Sequence, residues 1–422
     1  MKRLLLLALL ALTTALSAQE KVEYVDDEEC GCELVFIDGI QTTQDGNRFG
    51  FKSEDGTIIT PNKFLFVDKF HGNYCKVYMN YDSCGLINRQ GEQVIPCDYA
   101  DVDYPHEGLI LVRRDSLYGF FDTAGQQRIG FQFYAASSFN EGRAVVAASI
   151  DSFTIGYGYI DTTGRMVIPP MYQYAYPFYE GYAVVKGYDR YGMINFANKE
   201  VLPIKYEVVT SFMNGVFFAG DGDGLAMFDK KFKPLTKPVY THIVGNADNF
   251  YLVLRDGKYG YLNNKGREVI PCIYDHAGLF NEGRASVSLN NKWGIIDRSG
   301  KTVLPIEYDN SGYRSEAYNY HDGLALIEKD KQFGFADING NIVIAPTFEN
   351  AYQFSEGLAP VSIGGWGYID TKGNFFIPPV FDIAGPFQWG RAEVVYKGEI
   401  HKMNSEGRCV KNCKNAPKSW KP

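Results

Sequence analysis

The sequence predicts an all-β repeat protein. About eleven three-stranded antiparallel β-meander units of ~34 residues stack in an open curved array. Three observations predict it. "WGYIDTKGNFFIPPVFD" (Trp366 to Asp382) has a near copy in "YGYIDTTGRMVIPPMYQ" (Tyr157 to Gln173), with Asp, Gly and Pro at the same offsets. Such copies recur with a steady period along the chain. The composition, with thirty Tyr, twenty-nine Phe and 44 Gly, favours strands and turns over helices.

The copies begin at Phe49, Cys84, Tyr118, Tyr157, Tyr191, Leu225, Tyr259, Trp293, Phe333, Trp366 and, fading, Ile400. Around offset zero the residues alternate as in a strand with apolar groups on both sides, so both faces are expected to be covered. Gly at offset one removes a side chain where another strand must come close. Offset four is Asn88, Asp122, Asp161, Asn195, Asp229, Asn263, Asp297, Asp337, Asp370 and Asn404, with Ser53 in the first copy. Offset seven is Gly, with Asn198 and Phe232 as exceptions. An Asx side chain that bonds forward, followed by Gly at positive φ, describes a tight turn. A second strand such as Val167 to Pro169 follows, and the Pro is expected to end it. Offset fifteen is aromatic in every complete copy, from Phe64 and Tyr99 to Phe348 and Phe381. That ring is expected to lock one unit onto the next. A Phe–x–x–Gly stretch then opens a third strand, as at Phe178 and Gly181. A lone unit buries too little to offset its backbone ordering of about 1–2 kcal/mol per residue, so neighbours must supply the core.

Two gaps are longer, with insertions at "AASIDSFTIG" (147–156) and "NSGYRSEAYNYHDG" (310–323). Both are expected as loops and as the best places for function. One or two β-propellers, split near Leu225 if two, are the alternative architecture. The units are short for four-stranded blades, and ten or eleven blades exceed the usual number.

The N-terminus reads as an export signal over residues 1–18: Lys2 and Arg3, an apolar run from Leu4 to Leu12, then small residues to Ala18. An acidic segment (19–47) containing Asp26, Asp27, Glu28 and Glu29 is expected as a solvated leader. The array spans 48–407, and the basic tail (408–422) is expected to be disordered. Loss of Lys2 and Arg3 takes the formal charge from −8 to −10. Acidity disfavours nucleic acid as a partner. No later segment is long and apolar enough to suggest an integral membrane span in the mature chain.

The repeated aromatic–Gly–x–Ile–Asp–x–x–Gly, Val-Ile-Pro, Tyr-Asp and Phe–x–Glu–Gly–Leu–Ala stretches resemble the WG, or KWG, repeat of bacterial proteins. The likeness runs from about Arg48 to Gly407, and "KWGIIDRSGKTVLPIEYD" (Lys292 to Asp309) is especially close. The resemblance implies a β-repeat array on an exported or envelope-associated protein and brings no catalytic residues. The copy at Leu225 departs from it, with Ala226 for Gly and Phe232 for the turn Gly, which suggests a bend or junction.

No catalytic, cofactor or metal residues are assigned, and no cofactor is expected. Asp221, Asp223 and Asp229 in "GDGDGLAMFD" have calcium-type donors, but the repeat aligns them with an ordinary hairpin. The six His (His71, His106, His242, His276, His321, His401) form no zinc motif and are expected at the surface or in turns. The eight Cys are Cys30, Cys32, Cys75, Cys84, Cys97, Cys272, Cys409 and Cys413. Cys75 and Cys84 are placed to face one another across a hairpin, and the terminal pairs to staple the ends; a four-thiolate metal site is the alternative if the ends meet. The functional expectation is a non-enzymatic binding or scaffold protein of the cell envelope or extracellular space, periplasmic, surface-exposed or secreted, holding an envelope protein or a glycan. The alternative is a polysaccharide- or peptidoglycan-acting enzyme with acids from different repeats.

Overall fold

The structure is a computed structural model that describes residues 22–27, 32–309, 320–388, 390–417 and 419–421. Among these the regular structure is entirely β, in eleven small antiparallel sheets, none closed into a barrel. Each sheet holds one copy of the repeat, and we number the sheets with the copies. Strands follow one another in sequence order within every sheet.

Nine sheets have four strands rather than the three expected. In sheet five these are Tyr174–Ala175, Tyr182–Gly187, Arg190–Asn195 and Glu200–Tyr206. The extra strand is formed by two residues of the crossing between the Pro-containing strand of one copy and the Phe–x–x–Gly stretch. Tyr174 pairs with Lys186 and Ala175 with Val185, which satisfies backbone groups that the crossing would otherwise leave open.

The turn chemistry agrees with the sequence reading. The Asp370 carboxylate accepts the N–H groups of Lys372 and Asn374, both at 2.9 Å. Asn195 does the same with Ala197 and Lys199. Gly373 closes the turn at φ +86°. Phe232 keeps the turn without Gly by adopting φ 60° itself. It packs edge-on against Tyr182 at 5.1 Å. Ring burial thus offsets a left-handed conformation that an ordinary residue avoids.

The Pro does not end its strand. Phe375–Phe381 runs straight through Pro378 and Pro379. Trp366 pairs with Phe381 and Tyr368 with Ile377, so Gly367 alone opposes three residues. The Pro residues sit in this bulge, where a missing donor costs no ladder bond. A Cβ on Gly367 would lie 2.6 Å from the Ile377 carbonyl oxygen. The two departures at this Gly position follow from the same geometry. Sheet six has three strands, and the segment after its turn joins it through the Phe228–Pro234 and Leu225–Tyr240 bridges and a few single hydrogen bonds rather than as a full fourth strand, which leaves room for Ala226. In sheet eleven the opposing strand is only Cys409–Lys411, and His401 takes the place of Gly.

The core lies between sheets rather than within them. Ten apolar clusters bridge the ten successive sheet pairs. At one junction Tyr159, Ile168 and the offset-fifteen Tyr172 of sheet four meet Ala175, Phe178, Ala183 and Val185 of sheet five. Three buried tyrosines add a polar tie: the hydroxyls of Tyr159, Tyr261 and Tyr368 donate to the carbonyls of Tyr176, Gly278 and Gly385 at 2.8, 2.6 and 2.8 Å.

A carboxylate ladder links the sheets on their surface. Glu107 accepts the N–H of Gly142, Asp248 that of Gly283, Asp322 that of Gly357 and Glu356 that of Gly390, at 2.7–3.0 Å. Each of these acids has φ between 51° and 56°, so an acid at this position, Glu356 of Phe–x–Glu–Gly among them, turns the chain and reaches its neighbour at once.

Both ends differ from expectation. The acidic segment supplies Val22–Asp27, Cys32–Ile37 and Ile40–Asp45 to a five-stranded first sheet. The basic tail is ordered: Cys409 and Cys413 form a disulfide, and Trp420 packs against Phe381 at 5.3 Å, closing the last core cluster. The strand Cys32–Ile37 lies beside Cys409–Lys411, so the two ends of the array meet. The export signal expected at residues 1–18 lies outside the described residues.

Candidate functional site

Most sequence candidates resolve into structure. Asp221 faces Arg190 at 3.5 Å and accepts the Glu207 N–H at 3.0 Å. Asp229 accepts the N–H groups of Lys231 and Lys233, as the hairpin reading requires. Among the described residues no cluster of three His, Cys, Asp or Glu is arranged to hold a metal. Cys75 and Cys84 do not face one another. Cys75 opposes Ile87 and Cys84 opposes Tyr78, and both are buried free thiols. Burial pushes Cys75 up to about 12 and Cys84 to about 11, far from a reactive thiolate. The Cys409–Cys413 bond removes two ligands from any four-thiolate site; Cys30 lies outside the described residues. Five His are exposed, as expected, but His401 is buried, with Nδ1 2.6 Å from the Asn412 carbonyl. It fills the space that the opposing strand's backbone occupies in complete sheets.

Among the described residues the carboxylates with a displaced pKa all move downward. The Thr163 hydroxyl, assisted by the Thr163 and Arg165 N–H groups and the Arg165 guanidinium, brings Asp161 to about 2. The Ser299 hydroxyl lowers Asp297 in the same way. These acids are ionised hydrogen-bond acceptors within turns, the opposite of the raised pKa that a carboxyl proton donor requires.

The surface offers a different feature. Gln173, Tyr174, Tyr176, Lys186 and Tyr191 line an open groove of about 470 Å³ on sheet five. The repeat builds it. Tyr174 and Tyr176 stand at offsets seventeen and nineteen, Lys186 on the next strand, and Tyr191 at the start of the following copy. The same places in sheet three carry Asp101, Asp103, Arg113 and Tyr118, which with Lys76 and Leu111 line a smaller hollow of about 100 Å³. One geometry thus recurs with different side chains. In sheet three the charges are spent internally: Lys76 reaches Asp101 at 2.8 Å and Ser138 donates to Asp103. In sheet five the groove is aromatic.

Its backbone is fixed. The Gln173 N–H donates to the Lys186 carbonyl at 2.8 Å and the Tyr176 N–H to the Val184 carbonyl at 3.0 Å. The Tyr159 hydroxyl holds the Tyr176 carbonyl from the core side. The rings form a row: Tyr157 to Tyr174 at 4.9 Å, and Tyr174 to Tyr176 at 5.0 Å. Lys186 lies over the Tyr191 ring at 5.7 Å and pairs with Asp189 at 3.2 Å. Gln173 accepts the Asp189 N–H through Oε1 at 3.0 Å. Tyr174 and Tyr176 are 44% and 39% exposed. Burial pushes the Tyr176 phenol up, so its proton stays in place at neutral pH.

The first insertion abuts this row. It extends the hairpin between Arg143–Ser149 and Ile155–Asp161, the strand that carries Tyr157. Asp151 caps the tip by accepting the Phe153 and Thr154 N–H groups, and Phe153 is 99% exposed. The second insertion lies outside the described residues over 310–319. The groove residues were not singled out from the sequence. The available signal was variation: Tyr stands at both offsets seventeen and nineteen of one copy, where each other copy holds at most one aromatic ring, such as Phe66 or Tyr352.

The model of the WG containing repeat matches residues 85–118, 118–147, 157–186, 191–222, 259–293, 293–332, 333–365 and 366–399. The chain belongs to the WG-repeat family. The unmatched stretch after residue 222 falls on the three-stranded sixth sheet, where Ala226 and Phe232 break the repeat. No curated protein matches this WG-repeat chain. Solved structures similar to it include a eukaryotic initiation factor (13% identity, TM-score 0.36, 71% of this chain and 93% of that one). BamB from Moraxella catarrhalis is similar at 12% identity and TM-score 0.29, over 71% and 91%. Kluyveromyces lactis Hsv2p is similar at 10% identity and TM-score 0.27, over 74% and 99%. At these scores the likenesses carry no functional inference.

Proposed function

We propose that this WG-repeat protein is an exported, non-enzymatic binding or scaffold protein of the bacterial cell envelope or extracellular space, which holds an envelope component on its repeat surface. The observation that carries the reading is the sheet-five groove, where a rigid array presents a row of exposed rings beside an amide and an ammonium group. Rings locked by packing lose little freedom on binding, which is what a recognition surface needs. Export is supported by Lys2, Arg3 and the apolar run to Leu12. The Cys409–Cys413 disulfide suits an oxidising compartment.

Cell fractionation with N-terminal sequencing, and capture of envelope material by the immobilised mature chain, test the reading together. The expected results are a chain beginning at Gln19 outside the cytoplasm, and capture that weakens when Tyr174 and Tyr176 are replaced. An uncleaved cytoplasmic chain would contradict export. Turnover of polysaccharide or peptidoglycan, lost on replacing the acids of the two insertions, would replace binding with catalysis.

A further inference from the structure

We propose that the sheet-five groove is a subsite for a neutral glycan, whose sugar faces lie on Tyr174 and Tyr176 while Gln173, Lys186 and the phenolic hydroxyls bond its hydroxyl groups. This rests on the binding role proposed above and names the ligand class.

Four features select this class. The groove is open rather than enclosed, so it suits a chain passing across it better than a small molecule buried on most sides. Its rings are amphipathic: each Tyr offers a flat apolar face and a hydroxyl, and a sugar ring offers the same pair of surfaces. Its only ammonium group, Lys186, is already matched by Asp189 at 3.2 Å. The groove therefore presents no uncompensated cation to an acidic polymer, and the chain's net charge of −8 repels one further. The edge strand beside the groove, Tyr174–Ala175, is only two residues long. It is too short a template for a peptide to dock by adding a strand.

The recurrence of the site is informative too. The sheet-three hollow has the same framework but is lined by internally paired charges. The repeat therefore supplies the shape, and Tyr174 and Tyr176 supply the chemistry in one sheet.

Affinity electrophoresis of the full mature chain through gels containing soluble xylan, mannan or β-glucan tests the proposal, with N-acetylglucosamine oligomers as soluble competitors. Retardation by at least one of these probes is expected, and it should change little between low and high salt because the ligand is neutral. Tyr174→Ala and Tyr176→Ala should each weaken it by about tenfold, and the pair should abolish it. Tyr188→Ala, at an exposed hairpin tip outside the groove lining, should leave it unchanged. If the alanine variants melt early, Tyr174→Leu and Tyr176→Phe retain packing and should still bind more weakly than the native chain. No retardation by any probe, unchanged retardation in a folded double variant, or loss of retardation in moderate salt overturns the proposal. Envelope capture that persists without glycan retention overturns the glycan assignment alone and leaves the binding role standing.

Discussion

The Glu141 carboxylate accepts the backbone N–H groups of Glu180 and Gly181 in the next sheet, both at 2.8 Å. Glu141 itself has φ 52°. One residue thus closes its own turn and ties down the equivalent turn one repeat later. Glu180 does not continue the series to Gly215; it pairs with Lys230 at 2.7 Å instead. The ladder is interrupted at the same sixth sheet where the fourth strand is missing.

Glu141→Ala removes two charge-assisted bonds at a solvent-exposed junction. The expected loss is roughly 1–2 kcal/mol, discounted for solvent screening. Glu141→Gln keeps an acceptor and should lose less. Urea unfolding of both variants checks the order.

Gly367→Ala forces a Cβ against the Ile377 carbonyl and should cost about 1–3 kcal/mol as the bulge shifts. Ala226→Gly, at the matching position of sheet six, relieves no collision and should cost only about 0.5–1 kcal/mol in backbone freedom. Equal costs at the two positions in thermal melts would refute the bulge explanation.

Phe232→Gly separates strain from packing. Relief of the left-handed conformation is worth about 1 kcal/mol, while the ring's contacts with Tyr182, Phe212 and Phe217 are lost. The ring should win, with a net loss of about 1–3 kcal/mol in denaturant unfolding. Net stabilisation would show that strain dominates.

Acid should weaken the turns. Asp161 is held from an ordinary value of 3.8 down to about 2, first by the Thr163 hydroxyl. Its contribution is complete above the unfolded value and is lost as pH falls through about 2. Asp161→Asn preserves the turn bonds, as Asn195 does in the next sheet. The stability gap between native chain and variant should therefore narrow between about pH 4 and pH 2 in urea titrations.

Much of the fold was legible because repetition turned each position into ten observations. The offset-four Asx, the turn Gly and the offset-fifteen ring could each be assigned a cause without coordinates. The fourth strand was not legible: two residues such as Tyr174 and Ala175 have no alternation to read. The Pro was misjudged because a bulge needs two strands to be seen, and Pro378 makes sense only opposite Gly367. The linking role of the Glu of Phe–x–Glu–Gly was not legible, since its partner lies a full repeat away. Trp420 was assigned to a loose tail, although an exposed terminal core face calls for a ring to cover it. The groove was hidden for the converse reason: Tyr174 and Tyr176 stand where the repeat varies.

The mutual dependence of the sheets is tested most directly on residues 242–274, one complete four-stranded sheet, expressed alone. Its apolar side chains belong to clusters shared with sheets six and eight. Circular dichroism with thermal melting should show an unfolded chain without a cooperative transition, whereas the full protein melts cooperatively. A compact monomer that melts cooperatively on its own would contradict the account.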